Sequence, residues 1–296
     1  MNESILLLGG NGQVGQEIHQ ILAPKYKVIS AARPRIDLTQ SDSLRQIIKE
    51  VQPQIIINAA AYTAVDKAET EPEIATAINA TAPQIIAEES QKLGSFLIHI
   101  STDYVFDGQQ SHPYQETDPT NPLSVYGKTK LAGEIAIQQT HPQHLILRTA
   151  WVYGSFGKSN FVKTMLRLGA ERQEIRVVKD QIGSPTWAQD IADTIAQVIP
   201  QIPEISGTYH YTNTGVISWY DFAVAIFAES QKLGFPLTVQ QIIPITTAEY
   251  PTLAPRPAYS VLACEKMSQV LGTAPPHWQQ RLRLMLQDWL SKYSSL

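Results

Sequence analysis

The segment that decides the fold reads Ile5-Leu6-Leu7-Leu8-Gly9-Gly10-Asn11-Gly12-Gln13-Val14-Gly15. Its first four residues form an unbroken apolar run, typical of a strand buried on both faces of a parallel sheet. Gly9, Gly12 and Gly15 follow at the spacing G-x-x-G-x-x-G. Glycines at such positions make a tight turn, let the backbone approach a phosphate, and let the next helix pack closely on the strand. A Gly-rich turn without a ligand is the alternative, but the position between a strand and a helix favours a dinucleotide site.

Outward from this segment, strand-like and helix-like stretches alternate through the first half of the chain. Strands are predicted at 5–8, 27–31, 55–58, 96–100 and 145–147, and helices from the glycines to about 22, then at 41–51, 72–93 and 124–139. Ser41 and Asp42 are expected to cap the second helix, and Gly94 to end the third. Strands that are separated by helices pair in parallel, so we expect an α/β fold with a doubly wound parallel (Rossmann) sheet.

After about residue 150 the pattern loosens and Pro and Gly become denser. Helices are still predicted at 160–170, 187–198, 218–232 and 277–290. We therefore expect a dinucleotide-binding domain over 1–150 and a second, smaller α/β lobe for substrate over 151–296. Some of the later segments, about 187–215, are expected to return and pack on the first domain.

Composition narrows the class of protein. The 296 residues carry a net charge of −4, which gives no electrostatic reason to expect nucleic acid or an anionic membrane as a partner. Cys264 is the single cysteine, so no intramolecular disulfide can form. The sequence has neither an apolar run long enough to span a membrane nor the features of a signal peptide. A cytoplasmic protein is expected.

The end of the second predicted strand bears on the choice of cofactor. Many NAD enzymes carry Asp or Glu about 20 residues after the glycines. Here the sequence is Ala31-Ala32-Arg33, with Arg35 and Asp37 close behind. An arginine at this place suits the 2′-phosphate of NADPH, so NADPH is expected over NADH, which stays possible. The alternative is that Arg33 and Arg35 are solvated loop charges.

A tyrosine and a lysine lie four residues apart at the start of a predicted helix, Tyr126 and Lys130. Residues at i and i+4 share a helix face, so the two side chains can meet. A neighbouring ammonium is expected to lower the pKa of the phenol and make Tyr126 a proton donor to a carbonyl that receives a hydride. Thr102, at the carboxyl end of the fourth strand, can hydrogen-bond the same carbonyl oxygen. A surface helical pair and a turn hydroxyl are the alternatives.

Several longer segments narrow the interpretation further. They are Asn58-Ala-Ala-Ala-Tyr-Thr-Ala-Val-Asp-Lys-Ala-Glu69, Ser101-Thr-Asp-Tyr-Val-Phe-Asp-Gly108, Tyr126-Gly-Lys-Thr-Lys130, Arg148-Thr-Ala-Trp-Val-Tyr153, Asp180-Gln-Ile-Gly-Ser-Pro-Thr186 and Arg256-Pro-Ala-Tyr-Ser260. In this order they resemble the dTDP-4-dehydrorhamnose reductases, a family of extended short-chain dehydrogenases/reductases. The resemblance implies reduction of the 4-keto group of dTDP-4-dehydro-6-deoxy-L-mannose to dTDP-L-rhamnose, with a dTDP-sugar as the substrate.

The resemblance also assigns roles to residues of this chain. It places Gly12, Gln13 and Val14 at the cofactor phosphates, Asp37 and Leu38 near the adenosine, Ala61, Tyr62 and Thr63 on the cofactor's far side, and Thr102, Asp103 and Trp151 at the sugar nucleotide. From chemistry alone, Trp151 is as readily explained by core packing. Asn160 and Arg256 could bind the diphosphate through N–H donors, or could be a cap and a surface residue.

One departure concerns metal. Some members bind Mg²⁺ between subunits through glutamates, and Glu17 matches one such position. Gln189 stands where another glutamate is found, and a neutral amide is a poorer ligand for a hard cation. Mg²⁺, and a dimer that depends on it, are therefore in doubt, and monomer and homodimer both stay open.

Two alternative functions also stay open. A nucleotide-sugar epimerase or dehydratase of the same superfamily is disfavoured because Asp103 is followed by Tyr104, whereas a dehydratase is expected to carry an acidic pair there. A non-catalytic regulatory nucleotide-binding subunit is disfavoured because Thr102, Tyr126 and Lys130 are all present.

Overall fold

A computed structural model describes residues 3–293 of the chain. The strands are β1 (Ser4–Leu8), β2 (Lys27–Ala31), β3 (Ile55–Asn58), β4 (Phe96–Thr102), β5 (His144–Thr149), β6 (Val152–Tyr153), β7 (Glu174–Val178), β8 (Ile182–Gly183), β9 (Thr186–Trp187), β10 (Gly207–His210), β11 (Ile217–Ser218) and β12 (Gln241–Ile245). The helices are α1 (Gln13–Leu22), α2 (Ser41–Val51), α3 (Val65–Ala68), α4 (Pro72–Thr76), α5 (Ala82–Leu93), α6 (Val125–Thr140), α7 (Phe161–Glu171), α8 (Ala188–Val198), α9 (Trp219–Lys232), α10 (Glu265–Leu271) and α11 (Trp278–Tyr293).

A six-stranded sheet organises the first lobe, in the order β10-β5-β4-β3-β1-β2, and all of its pairings are parallel. Alternate residues of β1 point to opposite faces, so Ile5 and Leu7 enter one core cluster while Leu6 and Leu8 enter the other. Helices cover both faces, which explains why the strand is apolar throughout. The prediction of a doubly wound α/β sheet is confirmed.

The two faces of this sheet are covered by different helices. Helices α1 and α8 contribute Ile18, Leu22, Ile191 and Ile195 to the cluster on one face. Helices α2, α5 and α6 contribute to the other cluster through Leu44, Ile48, Ile86 and Ile137. The segment predicted to return to the first domain supplies α8 and the edge strand β10, which pairs with β5 in the register Tyr209 to Leu147.

The second lobe has a core of its own. Helices α7, α9 and α11 pack around the parallel pair of β7 and β12. Their shared cluster includes Ile175, Phe222 and Leu282, each buried. Its short strands have no strong sequence signal, because pairs of two residues such as β8 with β11 owe their place to tertiary contacts.

Three local expectations need correction. The helix predicted over 72–93 is helical throughout, but a π-helical turn at Ala77–Thr81 separates α4 from α5. Asn79 in that turn bonds the backbone of Tyr62 and the Thr129 hydroxyl, which ties the turn to a loop and to α6. Ser41 and Asp42 do not cap α2, since the cap position is Gln40 and no side chain closes it. Strand β4 runs to Thr102, two residues beyond the predicted end.

Candidate active site

The glycine loop is shaped by close backbone contacts. Gly9 has φ +82°, and a Cβ there would lie 2.6 Å from the Ala60 nitrogen. A Cβ on Gly15 would collide with the Gly9 carbonyl oxygen, so α1 can approach β1 only if this residue is glycine. Gly12 is the N-cap of α1 and brings no side chain to the helix end. The first N–H groups of α1 therefore face the neighbouring cleft, as a phosphate site requires.

A cleft of about 870 Å³ runs from the glycine loop along the carboxyl ends of the parallel strands. It brings together residues that are far apart in sequence and that chemistry or resemblance had singled out. Those lining it are Gly9, Gly12, Gln13, Val14, Arg33, Asp37, Leu38, Ala61, Thr63, Thr102, Asp103, Tyr126, Lys130 and Trp151. This is the edge at which doubly wound sheets bind their ligands.

Four of the predicted site residues do not line this cleft. Gly15 acts by helix packing, and the Tyr62 hydroxyl donates to Glu71 over 2.6 Å. Asn160 is the N-cap of α7, where its amide oxygen accepts from Lys163 N and its amide nitrogen donates to Gly154 O.

Arg256 does not line the cleft; it forms a two-pronged ion pair with Asp66 whose shorter contact is 2.6 Å, and it also hydrogen-bonds Tyr104, which does line the cleft. Hydrogen bonding by Arg256 holds the pKa of Asp66 below its usual range. Asn160 caps α7, and its amide nitrogen also donates to Gln13 Oε1 over 3.3 Å, on a residue that lines the cleft. The guanidinium of Arg256 is matched by a carboxylate.

Tyr126 lies in the first turn of α6, just inside the cap. Ser124 closes the helix by accepting from Gly127 N over 3.1 Å. Gly127 packs so closely on the Tyr104 carbonyl that a side chain would not fit. Burial raises the pKa of Tyr126 to about 12, and an interaction with Thr102 opposes that rise, although the Thr102 hydroxyl itself donates to Asp103 Oδ1 over 3.1 Å. The phenol therefore keeps its proton at neutral pH and has Thr102 as a direct partner.

Lys130 is buried, with 1% of its surface exposed. Its Nζ donates to the Ile100 carbonyl over 2.7 Å and lies 3.2 Å from His99 Nε2. Burial lowers the pKa of Lys130 to about 8, and Glu134 opposes that shift. The expectation that Lys130 lowers the Tyr126 pKa is corrected: burial, Thr102 and Asp103 act on it, because the amine is turned toward β4.

A buried ionic network lies behind the pair and was not found from the sequence. Arg148 on β5 and Glu134 on α6 form an ion pair of 2.7 Å with side chains 5% and 1% exposed. Ser101 donates to the same carboxylate, and His210 Nε2 lies 3.4 Å from Arg148 Nη1. The network joins α6, β4, β5 and β10 directly beneath Thr102 and Lys130. Glu134 stands four residues after Lys130, which was the available signal that both face inward.

The predicted substrate side of the cleft contains a carboxyl group and two stacked indoles. Burial raises the pKa of Asp103 to about 6, opposed first by a hydrogen bond with Ser260. Trp151 has φ +48° and stacks on Trp219 with ring centroids 3.5 Å apart and planes within 8°. Both indoles line the cleft, so Trp151 has a packing role and also offers its surface to a ligand. Trp219 was missed because it meets Trp151 only in the folded chain, and no local pattern reports that contact.

The candidate adenosine end is more open. Arg33 is exposed and lines the cleft, whereas Arg35 is exposed and does not. Asp37 accepts from both the backbone and the hydroxyl of Thr39, and the backbone bond in particular holds the pKa of its carboxyl below the usual range. The exposed guanidinium of Arg33, which also acts on Asp37 through its charge, therefore lies at the rim of the cleft, where the sequence predicts recognition of a 2′-phosphate.

The residues considered for metal lie away from the cleft. Glu17 is buried, and desolvation raises its pKa to about 7. Burial raises the pKa of Asp193, and the charge of Arg281 and a hydrogen bond from Gln189 oppose that rise. Within residues 3–293, no group of three or more His, Cys, Asp or Glu side chains is placed to hold a metal ion. Over the same range, no helix is both long and apolar enough to cross a membrane.

Comparison with known proteins identifies similar chains. The family model described as the RmlD substrate binding domain matches residues 2–291. A dTDP-4-dehydrorhamnose reductase of Escherichia coli K12 is 44% identical over 292 residues, covering 96% of this chain and 97% of that protein.

Solved structures give the same result. The dTDP-4-dehydrorhamnose reductase of Bacillus anthracis, in complex with NADP, superposes with a TM-score of 0.91 at 39% identity and covers 97% of this chain and all of its own. The orthologue from Clostridium acetobutylicum gives a TM-score of 0.89 at 40% identity, covering 96% of this chain and 98% of that one.

Proposed function

The chain belongs to the dTDP-4-dehydrorhamnose reductase family, and from this premise we propose which of its residues carry out the reaction. The enzyme reduces the 4-keto group of dTDP-4-dehydro-6-deoxy-L-mannose to give dTDP-L-rhamnose, with NADPH as the hydride donor. The observation that supports this proposal most strongly is the meeting of Thr102 and Tyr126 in the cleft that begins at the glycine loop.

The chain's own geometry fits a dinucleotide phosphate. A Cβ on Gly9 would collide with the backbone of Ala60, and one on Gly15 with the Gly9 carbonyl, so only glycine lets the loop take this shape. The N-terminus of α1 then faces the cleft. Arg33 at the rim supplies a positive charge for a 2′-phosphate, which is our reason for choosing NADPH over NADH. When bound, NADPH supplies the hydride that reduces the substrate carbon.

Tyr126 provides the proton. The reduced carbonyl needs one hydride at carbon and one proton at oxygen, and a phenol whose pKa is about 12 holds that proton at neutral pH. Tyr126 Oη gives it to the developing alkoxide, which becomes the 4-hydroxyl. In the structure the Thr102 hydroxyl donates to Asp103 Oδ1, and once turned toward Tyr126 it would stabilise the phenolate left behind.

Lys130 completes the group as a buried cation. With NADPH bound and the amine turned toward Tyr126, the ammonium would stabilise the phenolate, and it would also hydrogen-bond the nicotinamide ribose. Its amine is turned toward Ile100 in the structure, so we expect this interaction to form as the site fills.

The two lobes divide the binding work. We assign the dinucleotide to residues 1–150 and the sugar nucleotide mainly to 151–296. Trp151, Trp219 and Asp103 are expected to contact the substrate, since they line the same cleft beyond Thr102. A flat indole face suits a deoxy sugar, and Asp103 can bond its hydroxyls.

We also propose that the protein works in the cytoplasm as a monomer or homodimer, and that it has no nucleic acid or membrane partner. The net charge of −4 and the free thiol of Cys264 support it. Light scattering of the purified protein decides the oligomeric state, with and without Mg²⁺.

The test of function supplies the purified chain with NADPH and dTDP-4-dehydro-6-deoxy-L-mannose. We expect stoichiometric loss of NADPH absorbance and formation of dTDP-L-rhamnose, identified by chromatography and proton couplings. A parallel reaction with dTDP-glucose separates the alternatives. Turnover of dTDP-glucose without net NADPH oxidation would refute the reductase and favour an epimerase or dehydratase.

A further inference from the structure

A line of buried polar groups runs from the sheet to Lys130 and is not explained by the proposed reaction. Asn58 ends β3, His99 lies beside it on β4, and both side chains are fully buried. Asn58 Nδ2 lies 3.1 Å from His99 Nδ1, and His99 Nε2 lies 3.2 Å from Lys130 Nζ. Buried polar groups of this kind must be matched donor to acceptor, or they cost stability.

Two backbone groups fix the direction of this line. At one end, Ala60 N–H donates to Asn58 Oδ1 over 3.2 Å, so the amide oxygen is taken and its NH₂ faces the imidazole. At the other end, Lys130 Nζ donates to the Ile100 carbonyl over 2.7 Å. Backbone groups cannot exchange donor and acceptor roles, whereas side-chain amides and imidazoles can.

The proton positions follow from these two ends. Because Asn58 donates to His99 Nδ1, that nitrogen carries the lone pair, and the imidazole proton resides on Nε2. His99 Nε2–H then points at Lys130 Nζ, which can accept it only as a neutral amine. An ammonium would face this N–H with another N–H. The opposite tautomer would turn Nδ1–H against the Asn58 NH₂ group.

We propose that Asn58 and His99 are positioning residues that present an N–H to Lys130, and that they thereby lower the pH at which Lys130 takes up its proton. The inference rests on the proposed function of Lys130, although the line of hydrogen bonds does not. An amine that gains and loses its proton near neutral pH suits a group that must supply and recover positive charge beside Tyr126 in each turnover.

The other charged and titratable groups facing this line act in known directions. Burial lowers the pKa of Lys130 to about 8, and Glu134 on α6 raises it again. The Arg148 ion pair partly neutralises Glu134. Burial also holds the pKa of His99 well below its usual range, and the charges of Lys130 and then of His144 on β5 add to that effect, so His99 stays neutral. Tyr126, one turn earlier on α6, is protonated near neutral pH.

The direct test is the tautomer of His99 in the whole protein. Long-range ¹H–¹⁵N correlation spectra of histidine-labelled protein distinguish a protonated from an unprotonated ring nitrogen, and His99→Gln identifies the resonances. We expect Nε2 to be protonated and Nδ1 unprotonated from mildly acidic to mildly alkaline pH. Protonation at Nδ1, or at both nitrogens, would overturn the inference whether or not the protein is a reductase.

The second test is the pH dependence of kcat/KM. Loss of the Lys130 proton is expected to cause the fall of kcat/KM at alkaline pH, the alkaline limb of the profile. In Asn58→Asp the new carboxylate accepts a hydrogen bond from His99 Nδ1–H, so His99 Nε2 carries the lone pair and can accept from Lys130. In His99→Gln the new amide oxygen can accept from Lys130. Both variants should move the limb upward by roughly one pH unit, the lower end of the effect of a favourable partner.

His141→Gln is the matched control. His141 is also buried and bonds a backbone carbonyl, that of Ser95, over 2.8 Å, but it lies at the opposite end of β4. The alkaline limb of the kcat/KM profile of His141→Gln should coincide with that of the wild type. An unchanged limb in Asn58→Asp and His99→Gln, or an equal shift in His141→Gln, would contradict the inference. An inactive wild type with the expected His99 tautomer would refute the function and leave the hydrogen-bond line intact.

Discussion

Replacing Glu134 by glutamine should destabilise the protein strongly, because it removes one charge of a pair that water cannot reach. Arg148 donates to Glu134 through Nε and Nη2, with contacts of 3.1, 3.1 and 2.7 Å. The two side chains are 1% and 5% exposed. Glutamine keeps the shape and one acceptor oxygen, but it leaves the guanidinium without a counter-charge.

The magnitude follows from this burial. Breaking a buried ion pair by removing one partner typically costs about 3–5 kcal/mol, far more than the net contribution of the pair. We expect Glu134→Gln to lower the free energy of unfolding within that range. Replacing both residues by apolar ones, in Glu134→Leu with Arg148→Met, should cost less than the single change, because no unpaired charge is left.

Urea unfolding followed by circular dichroism measures both variants. The matched control is Glu171→Gln, which breaks an exposed pair with Arg167 whose side chains are 52% and 61% exposed. That change should stay within about 0.5 kcal/mol of the wild type. If Glu134→Gln were as stable as the control, or the double variant less stable than Glu134→Gln, the account of the network would be wrong.

Three further perturbations test other parts of the account. Arg33→Ser should raise the KM for NADPH about tenfold, because one charge-assisted hydrogen bond is lost, and should leave the KM for NADH unchanged. An equal effect on both KM values would show that Arg33 does not recognise the 2′-phosphate. Gly15→Ala should weaken NADPH binding roughly tenfold in fluorescence titrations, because the added Cβ meets the Gly9 carbonyl. Gly94 has a positive φ, +70°, but open space surrounds it, so Gly94→Ala should leave NADPH binding unchanged. Hydrogen-bonded ion pairs with Arg283 and Lys232 lower the pKa of Glu229 from 4.5 to about 2, so Glu229→Gln should lower the free energy of unfolding at neutral pH. The difference in that free energy between variant and wild type should shrink as the pH falls from 4.5 toward 2. A difference that stays independent of pH in urea unfolding would contradict this.

Much of the first lobe could be predicted because its signals are local. The run from Ile5 to Leu8 and the three glycines after it encode a strand, a turn and a helix start within eleven residues. Strand β2 and strand β3 were predicted with the bounds that the structure has. Apolar runs are informative in a sheet that is buried on both faces, since every position needs an apolar side chain.

The candidate site was predictable in part. Tyr126, Lys130 and Thr102 could be grouped because helical spacing and the polarity of parallel strands place them at one edge. Trp219 could not be found, because it begins the predicted helix α9 and only the folded chain brings it against Trp151 at the cleft. Glu134 and Arg148 were missed because a charge that pairs only in three dimensions looks like a surface residue in the sequence.

The electrostatics of Tyr126 and Lys130 differ most from the prediction. Spacing alone suggested that the Lys130 ammonium lowers the Tyr126 pKa, but burial dominates both groups and moves them in opposite directions. Desolvation depends on how deeply a side chain is enclosed, which no spacing rule reports. The line from Asn58 through His99 to Lys130 likewise spans β3, β4 and α6 and exists only in the folded chain.

The most direct test of the central claim, that Tyr126 is the proton donor, is the kcat of Tyr126→Phe. Phenylalanine keeps the ring that packs edge-on against Tyr104, with centroids 5.5 Å apart, and removes only the hydroxyl. We predict a loss of at least about 100-fold in kcat, the lower end of general acid contributions, with NADPH affinity unchanged by fluorescence titration. Full activity of Tyr126→Phe with the 4-keto sugar would contradict the account.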